Sequence, residues 1–403
     1  MLPVWAAELD RFAQFPFTCA VLNQGTKKQK LKALGDLMHE DGLLVAVINY
    51  ESCWRDDIYE ALQDSCFDIL ICDEMHRLKN HKATQSQAVH KLADDIPYHL
   101  GLSGTPVLNT CEDLWSQYRF LDQAVFGSNF YKFRGRYCKM GGYMQHQCVG
   151  MLNKEEFIEK EYSIAHRVLK ADCLDLPDQI FQTVPVPLSK DEAALYNDMK
   201  RTSIAELESG ETLTAVTVLS RILRLQQITG GFMPTDDGAI KPIGTSKLDA
   251  LKDIIADTVI EGKKKLVVFA RFIAEVKAIE KLCAELKVGT ACIYGETPLA
   301  ERGKLVDSFQ SSDEIQIMLG QIDTLSTGLT LTAADTCVYY SLNYSYGTYY
   351  QSLSRIHRIG QTNKCTYIHL ISPKTVDEKV LAALLKKEEL AADIVDRWRD
   401  YLL

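Results

Sequence analysis

Two parallel-sheet α/β lobes with helical insertions are the fold this sequence predicts, and three observations predict it. The chain has 403 residues, too many for one compact core. Short apolar runs alternate with amphipathic stretches twice over, which is how strands and crossover helices of parallel sheets read. A Gly-rich break, TGGFMPTDDGAIKPIG at 229–244, separates the two series and is the expected linker.

In the first series LLVAVIN (Leu43–Asn49), FDILIC (Phe67–Cys72) and YHLGLS (Tyr98–Ser103) read as buried strands. Helical stretches such as Ser86–Ala93 lie between them. Pro106 and the Asn109–Thr110 pair close a strand and open a helix. From about Glu112 to Lys170 aromatics and glycines accumulate, and a helical and loop excursion is expected there. VPVPLSKDEAALYNDM (184–199) reads as a strand, a capped turn at Ser189 and a helix, and Asp191–Thr229 as helical without a strand. Beyond the linker, helical SKLDALKDII and IAEVKAIEKLCAEL flank the strand KKLVVFA (264–270). TACIYG (290–295), IQIMLG (315–320), TCVYYS (336–341) and CTYIHLIS (365–372) are further strands, with a helix at Leu299–Gln310. The expected organisation is a first lobe at 1–190 that includes the excursion at about 112–170. A helical segment and linker follow at 191–245, and a second lobe at 246–403.

Composition narrows the function classes. Apolar residues at 46% and charged residues at 25% are ordinary for a globular protein and argue against disorder. With a net charge of −9, nucleic-acid binding would need a locally basic cleft. The twelve Cys include no C-x-x-C pair and the nine His no H-x-x-H face, so spacing gives no zinc signature. Scattered thiols in apolar runs suit a reducing, cytoplasmic setting. MLPVWAAELDRF lacks the form of a signal peptide, and no apolar run approaches the roughly 18 residues of a membrane span, so no membrane partner is expected.

Three segments carry chemistry. FDILICDEMHRLKN delivers Asp73 and Glu74 to the C-terminal end of a buried strand, where parallel α/β sheets place ligands. Phosphoryl transfer to water needs one carboxylate on Mg²⁺ and another group to orient or deprotonate the water. Asp73 and Glu74 can divide those roles, although a solvated acidic loop reads the same way. GLSGTPVLNT (Gly101–Thr110) lets backbone approach a phosphate or a neighbouring loop closely, and it is equally a good turn sequence. In QSLSRIHRIGQT (Gln351–Thr362), Arg355 and Arg358 are three apart, so a helix would put both guanidiniums on one face. A solvated basic helix end is the alternative.

The order of these segments resembles a superfamily 2 helicase-like ATPase, and more closely the Swi/Snf-type DNA translocases. LPVWAAEL is similar to motif Ia, VAVINYES to Ib, DEMH to motif II and LSGTPVLNT to motif III. DLWSQYRFLDQAVFGSNFYKFRGRYC resembles the stretch this family places next, and HRVLKADCLDLPDQ its basic segment. LRLQQITGG and TSKLDAL resemble the entry to the second lobe. KKLVVFARF is similar to motif IV, IYGETPLAERGKLVDSF to the segment after it, LSTGLTLTAADTCVYYSLNYS to motif V and QSLSRIHRIGQ to motif VI.

The resemblance implies two RecA-like lobes, ATP and Mg²⁺ as cofactors, and double-stranded DNA as partner. It implies that Asp73 holds Mg²⁺, Glu74 activates water, and His76 couples the nucleotide site to motif III. Arg355 and Arg358 become the arginine fingers, with Gln351 near the γ-phosphate and Gly328 in the nucleotide-binding set. Thr297, Ser326, Thr327 and Gly328 are expected near the DNA backbone or lobe interface, though ordinary turn residues fit them equally. Lys79 and Arg271 are expected to contribute to a basic strip along the DNA. One element of the family is not found. No G-x-x-x-x-G-K-[ST] occurs, since Gly262–Lys263 and Gly303–Lys304 lack both the earlier Gly and the following Ser or Thr. The family places this P-loop ahead of motif Ia, where this chain begins, so the first lobe is expected to be N-terminally incomplete. The readings left open are a motor completed by an upstream P-loop fragment, a non-catalytic remnant that binds DNA or a partner, and a helicase acting on RNA or separating strands.

Overall fold

A computed structural model describes residues 2–22, 25–141, 147–208, 215–235, 239–326 and 328–391. The chain divides into two compact units, with Met1–Arg167 in the first and Val168–Glu388 in the second.

The first unit holds two parallel strand pairs. β1 (Thr18–Val21) pairs with β2 (Leu44–Val47), and β3 (Ile69–Cys72) pairs with β4 (Tyr98–Gly101). Between β1 and β2 runs a helix, Lys27–Leu37, opened by a capping box. The Thr26 N–H donates to Gln29 Oε1 at 2.7 Å, and the Gln29 N–H to the Thr26 hydroxyl at 3.4 Å. Leu34 of that helix packs with Ile58, Leu62, Cys72, Leu78, Val89, Leu92 and Phe120 into one core.

Strand alternation sends Leu70 and Cys72 into that core and turns Ile69 and Ile71 the other way. Ile69 lies opposite Tyr98 and Ile71 opposite Leu100. With Leu102 they form an apolar sheet face whose five residues are 39–67% exposed. Parallel strands are normally covered on both sides. Here one side is open.

The excursion is helical at Glu112–Leu121, Gln123–Phe126, Phe130–Tyr137 and Lys154–Tyr162, but it also contains an antiparallel hairpin, β5 (Cys138–Gly141) with β6 (Gln147–Met151). Its core is aromatic. Phe126 meets Phe133, Tyr137 and Phe157 with ring centroids 5.3, 5.7 and 4.9 Å away.

The second unit is built on β7 (Gln179–Pro185), a short hairpin of β8 (Phe232–Pro234) and β9 (Ile240–Pro242), then β10 (Lys265–Ala270), β11 (Thr290–Ile293), β12 (Ile317–Gln321), β13 (Ala334–Tyr339) and β14 (Cys365–Ile371). Six of these form one all-parallel sheet in the order β11-β12-β10-β13-β14-β7. Helices Ile273–Glu285 and Leu299–Ser311 connect consecutive strands, as the alternation predicts. Leu266–Ala270 of β10 are fully buried, consistent with a sheet covered on both faces.

The segment 168–190 was expected in the first lobe. It lies in the second unit, where β7 pairs along its whole length with β14, from Gln179 opposite Cys365 to Pro185 opposite Ile371. Pro185 suits that outer position because an edge strand leaves N–H groups unpaired. The turn at Ser189 is capped as expected, the Ser189 N–H donating to Glu192 at 2.7 Å.

Glu275 ties this unit together at the open end of the sheet. Its Oε2 accepts from the Arg271 and Phe272 N–H groups at 3.1 Å and from the Ser341 hydroxyl at 2.5 Å. Burial lifts its carboxyl from 4.5 to about 7, and the donors offset only part of that. The folded state therefore binds this proton more tightly than the unfolded state. The stabilising contribution is present below pH 4.5 and is lost as pH rises through about 7. The loss is about 3 kcal/mol. Urea unfolding of Glu275→Gln should show a flatter pH dependence across that window than the unsubstituted protein.

Candidate functional site

β3 stops abruptly. Asp73 follows it, and Glu74 takes a left-handed conformation, φ 48° and ψ 49°, before the short 3₁₀ turn Met75–Leu78. For a residue with a Cβ this costs about 1–2 kcal/mol, so the surroundings must hold it. They do so with four hydrogen bonds. The Glu74 N–H donates to Asp73 Oδ1 at 2.9 Å and the Tyr50 hydroxyl to the Asp73 carbonyl at 2.7 Å. The Met75 N–H donates to the Leu102 carbonyl at 2.8 Å, and the Leu102 N–H to the Cys72 carbonyl at 2.9 Å.

The acidic strand end and the S-G-T-P loop are thus joined through backbone, and side chains join them again. His76 Nδ1 lies 3.2 Å from the Ser103 hydroxyl and 3.2 Å from Glu74 Oε2. Ser103 also accepts from the Thr105 N–H at 3.2 Å. His76 thus touches both the acid pair and the loop after β4.

Met75 follows the acid pair. It is buried, and Gly101 makes room for it. A Cβ on Gly101 would lie 2.1 Å from Met75 Sδ and 3.2 Å from Leu121. Around this core Arg77 pairs with Glu51 and lies 5.2 Å from the Tyr50 ring centroid. Tyr50, Glu51 and Arg77 were not singled out by sequence, because they hold the acids in place without belonging to a motif's chemistry.

Burial, and then the neighbouring charge of Glu74, raise the Asp73 carboxyl above its ordinary range, while the Glu74 N–H and Trp5 work in the opposite direction. A carboxylate held at the end of a strand beside a second one fits a hard divalent cation. Mg²⁺ bound through one carboxylate and otherwise through water and phosphate suits this donor set.

In the second unit, helix Tyr346–Leu353 ends before the arginines, so Arg355 and Arg358 do not share a helix face as expected. The helix end finds partners outside itself. The Tyr367 hydroxyl donates to the Leu353 carbonyl at 2.6 Å, and the Leu331 N–H to the Arg355 carbonyl at 2.9 Å. The two guanidiniums nonetheless converge, both donating to the Leu329 carbonyl, at 2.9 Å from Arg355 and 3.3 Å from Arg358. Gln351 lies one turn before Arg355, whose Nε donates to the Gln351 carbonyl at 2.9 Å.

Gly328 has φ +68°, a turn that favours Gly over any L side chain. The amide of Gln361 donates to the Ala334 carbonyl at 2.8 Å, securing the RIHRIGQ segment to the start of β13. Lys170 joins this cationic group. Its ammonium donates to the Ser354 hydroxyl at 2.9 Å, and desolvation together with Arg355 and Arg358 pushes it below the usual lysine range. The basic character of HRVLKADC was the only sequence signal for it.

The remaining expected residues are dispersed. Thr297 closes a turn, its hydroxyl accepting from the Tyr294 N–H at 3.1 Å. Arg271 is partly buried and donates to Gln226. Lys79 is half-buried at the end of the 3₁₀ turn. The buried Ser326 hydroxyl has no hydrogen-bond partner among the described residues. Thr327 lies outside the described residues.

Residues 1–230 match the family model of the SNF2-related domain, and residues 246–360 that of the helicase conserved C-terminal domain. An uncharacterised ATP-dependent helicase of Mycoplasma genitalium is 26% identical over 386 residues, 96% of this chain and 35% of that protein. The DNA annealing helicase and endonuclease ZRANB3 of Bos taurus is 28% identical over 373 residues, 89% of this chain and 33% of its own. The DNA repair and recombination protein RAD54-like of Gallus gallus is 25% identical over 431 residues, covering 98% of this chain and 58% of its own. A solved Sulfolobus solfataricus SWI2/SNF2 ATPase core in complex with dsDNA is 26% identical, with a TM-score of 0.44, over 100% of this chain and 82% of its own. The chain spans about a third of the length of the first two of these relatives.

The Met75–Gly101 contact makes a prediction about stability. Gly101→Ala should cost about 1 kcal/mol by overpacking against Met75. In a Met75→Ala background the same change should be neutral or stabilising, because the added methyl fills space the sulfur vacated. A double-mutant cycle on urea midpoints reads the sign reversal.

Proposed function

We propose that this chain, which belongs to the SNF2-related family, is the core of an ATP-driven translocase on duplex DNA. The observation that carries the proposal is the linkage of Glu74, His76 and Ser103, which joins a catalytic-type acid pair to the hydroxyl-rich loop after β4. In this reading Asp73 would hold Mg²⁺, which when bound would supply positive charge beside the transferring phosphoryl group. Glu74 orients the attacking water and takes its proton as ATP becomes ADP and phosphate. His76 passes the state of that acid to the Ser103 loop. Arg355 and Arg358 exchange the Leu329 carbonyl for a phosphate oxygen, with Gln351 and Gly328 in the nucleotide-binding set. Lys79, Arg271, Thr297, Ser326 and Thr327 serve DNA backbone contact, with phosphates contacted and no base sequence read.

A specific observation favours limited turnover by these 403 residues alone. They contain no G-x-x-x-x-G-K-[ST], the motif whose backbone N–H groups and Lys hold the β- and γ-phosphates. The open face of Ile69, Ile71, Tyr98, Leu100 and Leu102 fits the same account, since it is the kind of surface a further βα segment covers. A P-loop-bearing segment, in the same polypeptide or separate, completes the motor. Without one the chain is a DNA-binding remnant.

Anisotropy of a labelled DNA duplex tests the substrate class. Affinity should not depend on base sequence and should fall by roughly 10³-fold between about 50 and 200 mM salt if some six phosphates are contacted. Salt-insensitive binding, preference for one sequence, or stronger binding to duplex RNA would contradict the proposal. Glu74→Gln should leave DNA affinity unchanged while removing any DNA-stimulated phosphate release.

A further inference from the structure

The aromatic excursion of the first unit brings three thiols to one point. Cys111 directly precedes helix Glu112–Leu121, Cys138 begins β5 and Cys148 lies in β6. Cys111 Sγ is 3.6 Å from Cys138 Sγ and 3.9 Å from Cys148 Sγ, and all three sulfurs lie within 4.8 Å of one another. We propose that Cys111, Cys138 and Cys148 form a zinc site that clamps the β5–β6 hairpin onto the aromatic core.

The geometry favours a metal over simple packing of small apolar residues. Zn²⁺ binds thiolate at about 2.3 Å, so tetrahedral ligands sit about 3.8 Å apart, close to the two sulfur separations given above. Soft thiolate donors select zinc over the hard cation of the acidic site. A disulfide would join only two of the sulfurs and leave the third beside it.

The hairpin's register brings the third thiol in. Cys138 lies opposite Met151 and Lys139 opposite Gly150, but Met140 then lies opposite Cys148, so Val149 is an extra residue in β6. In an unbroken ladder Cys148 would face Gly141, on the side of the sheet away from Cys138. The bulge moves Cys148 to the side of Cys138, with Met140 and Met151, and leaves Val149 exposed.

The surroundings suit bound thiolates. The Arg134 guanidinium lies close enough to Cys148 to offset thiolate charge. Arg134 is itself paired with Glu112 at 2.8 Å. Cys148 is only half-buried, which leaves a side from which water or another donor can complete the tetrahedron. The need for a clamp is physical, since a two-stranded hairpin is marginal by itself. Zinc-type spacing in the sequence missed the site because its ligands come from separate elements, Cys111 and Cys138 being 27 residues apart.

The test uses the whole chain, purified with reductant, supplied with zinc and desalted. Mass-spectrometric metal analysis should find about one zinc per chain. Cobalt substitution should give the thiolate charge-transfer and tetrahedral d–d bands, a readout that needs no variant. Cys148→Ser should lose most of the metal, whereas Cys66→Ser and Cys173→Ser should keep it. Alkylation mapped by mass spectrometry should show Cys111, Cys138 and Cys148 becoming reactive together when a chelator removes the metal. Unsubstituted protein without zinc and without a tetrahedral cobalt spectrum would overturn the proposal. So would zinc retained in full by Cys148→Ser, or a Cys111–Cys138 disulfide in metal-free protein that still protects the hairpin.

Discussion

The sharp end of β3 is the constraint on which the first unit's site depends. A left-handed Glu74 is unfavourable by itself, and it persists because the backbones of 72–75 and 102 are hydrogen-bonded across two strands. That turn directs Asp73 and Glu74 outward while Met75 goes inward, and Gly101 exists in the space Met75 needs. The acidic turn and the 102–105 loop are therefore held together by two contacts, the backbone hydrogen bond of Met75 with Leu102 and the His76 ring against Ser103.

The second unit solves a related problem with opposite charge. Arg355, Arg358 and Lys170 gather three cations, and the Leu329 carbonyl accepts from both guanidiniums. A carbonyl is a weak partner for two guanidiniums compared with a phosphoryl oxygen. The arrangement holds the arginines in position at small cost and leaves a stronger acceptor able to displace it. The acids and the arginines are thus each poised for a ligand of the other's charge.

Strand-forming patterns were legible in the sequence wherever apolar runs were long. LVVFA and ILIC lie in β10 and β3, and the acid pair follows its strand as expected. What was missed shares a cause: it is decided by partners distant in sequence. TCAV gives little sign of being a strand until β2 lies beside it. QIFQTVP looks like the end of one lobe and becomes the edge of the other unit's sheet. Arg355 and Arg358 were read as a helix face, yet they meet through Leu329, which no periodicity reveals. The capping box at Thr26 and Gln29 was readable and was passed over. The three thiols were dismissed by local spacing, and a single bulged residue, Val149, unites them.

The proposal turns on whether nucleotide binding by this chain is limited by the P-loop motif its sequence lacks. Titration calorimetry of Mg·ATP tests it most directly, comparing this chain with the same chain joined to a strand–P-loop–helix segment. The account predicts at least about tenfold tighter binding in the joined form, since one charge-assisted hydrogen bond contributes about 1.5–3 kcal/mol. Equal affinity in the two forms, with turnover by the chain alone that Glu74→Gln abolishes, would contradict it.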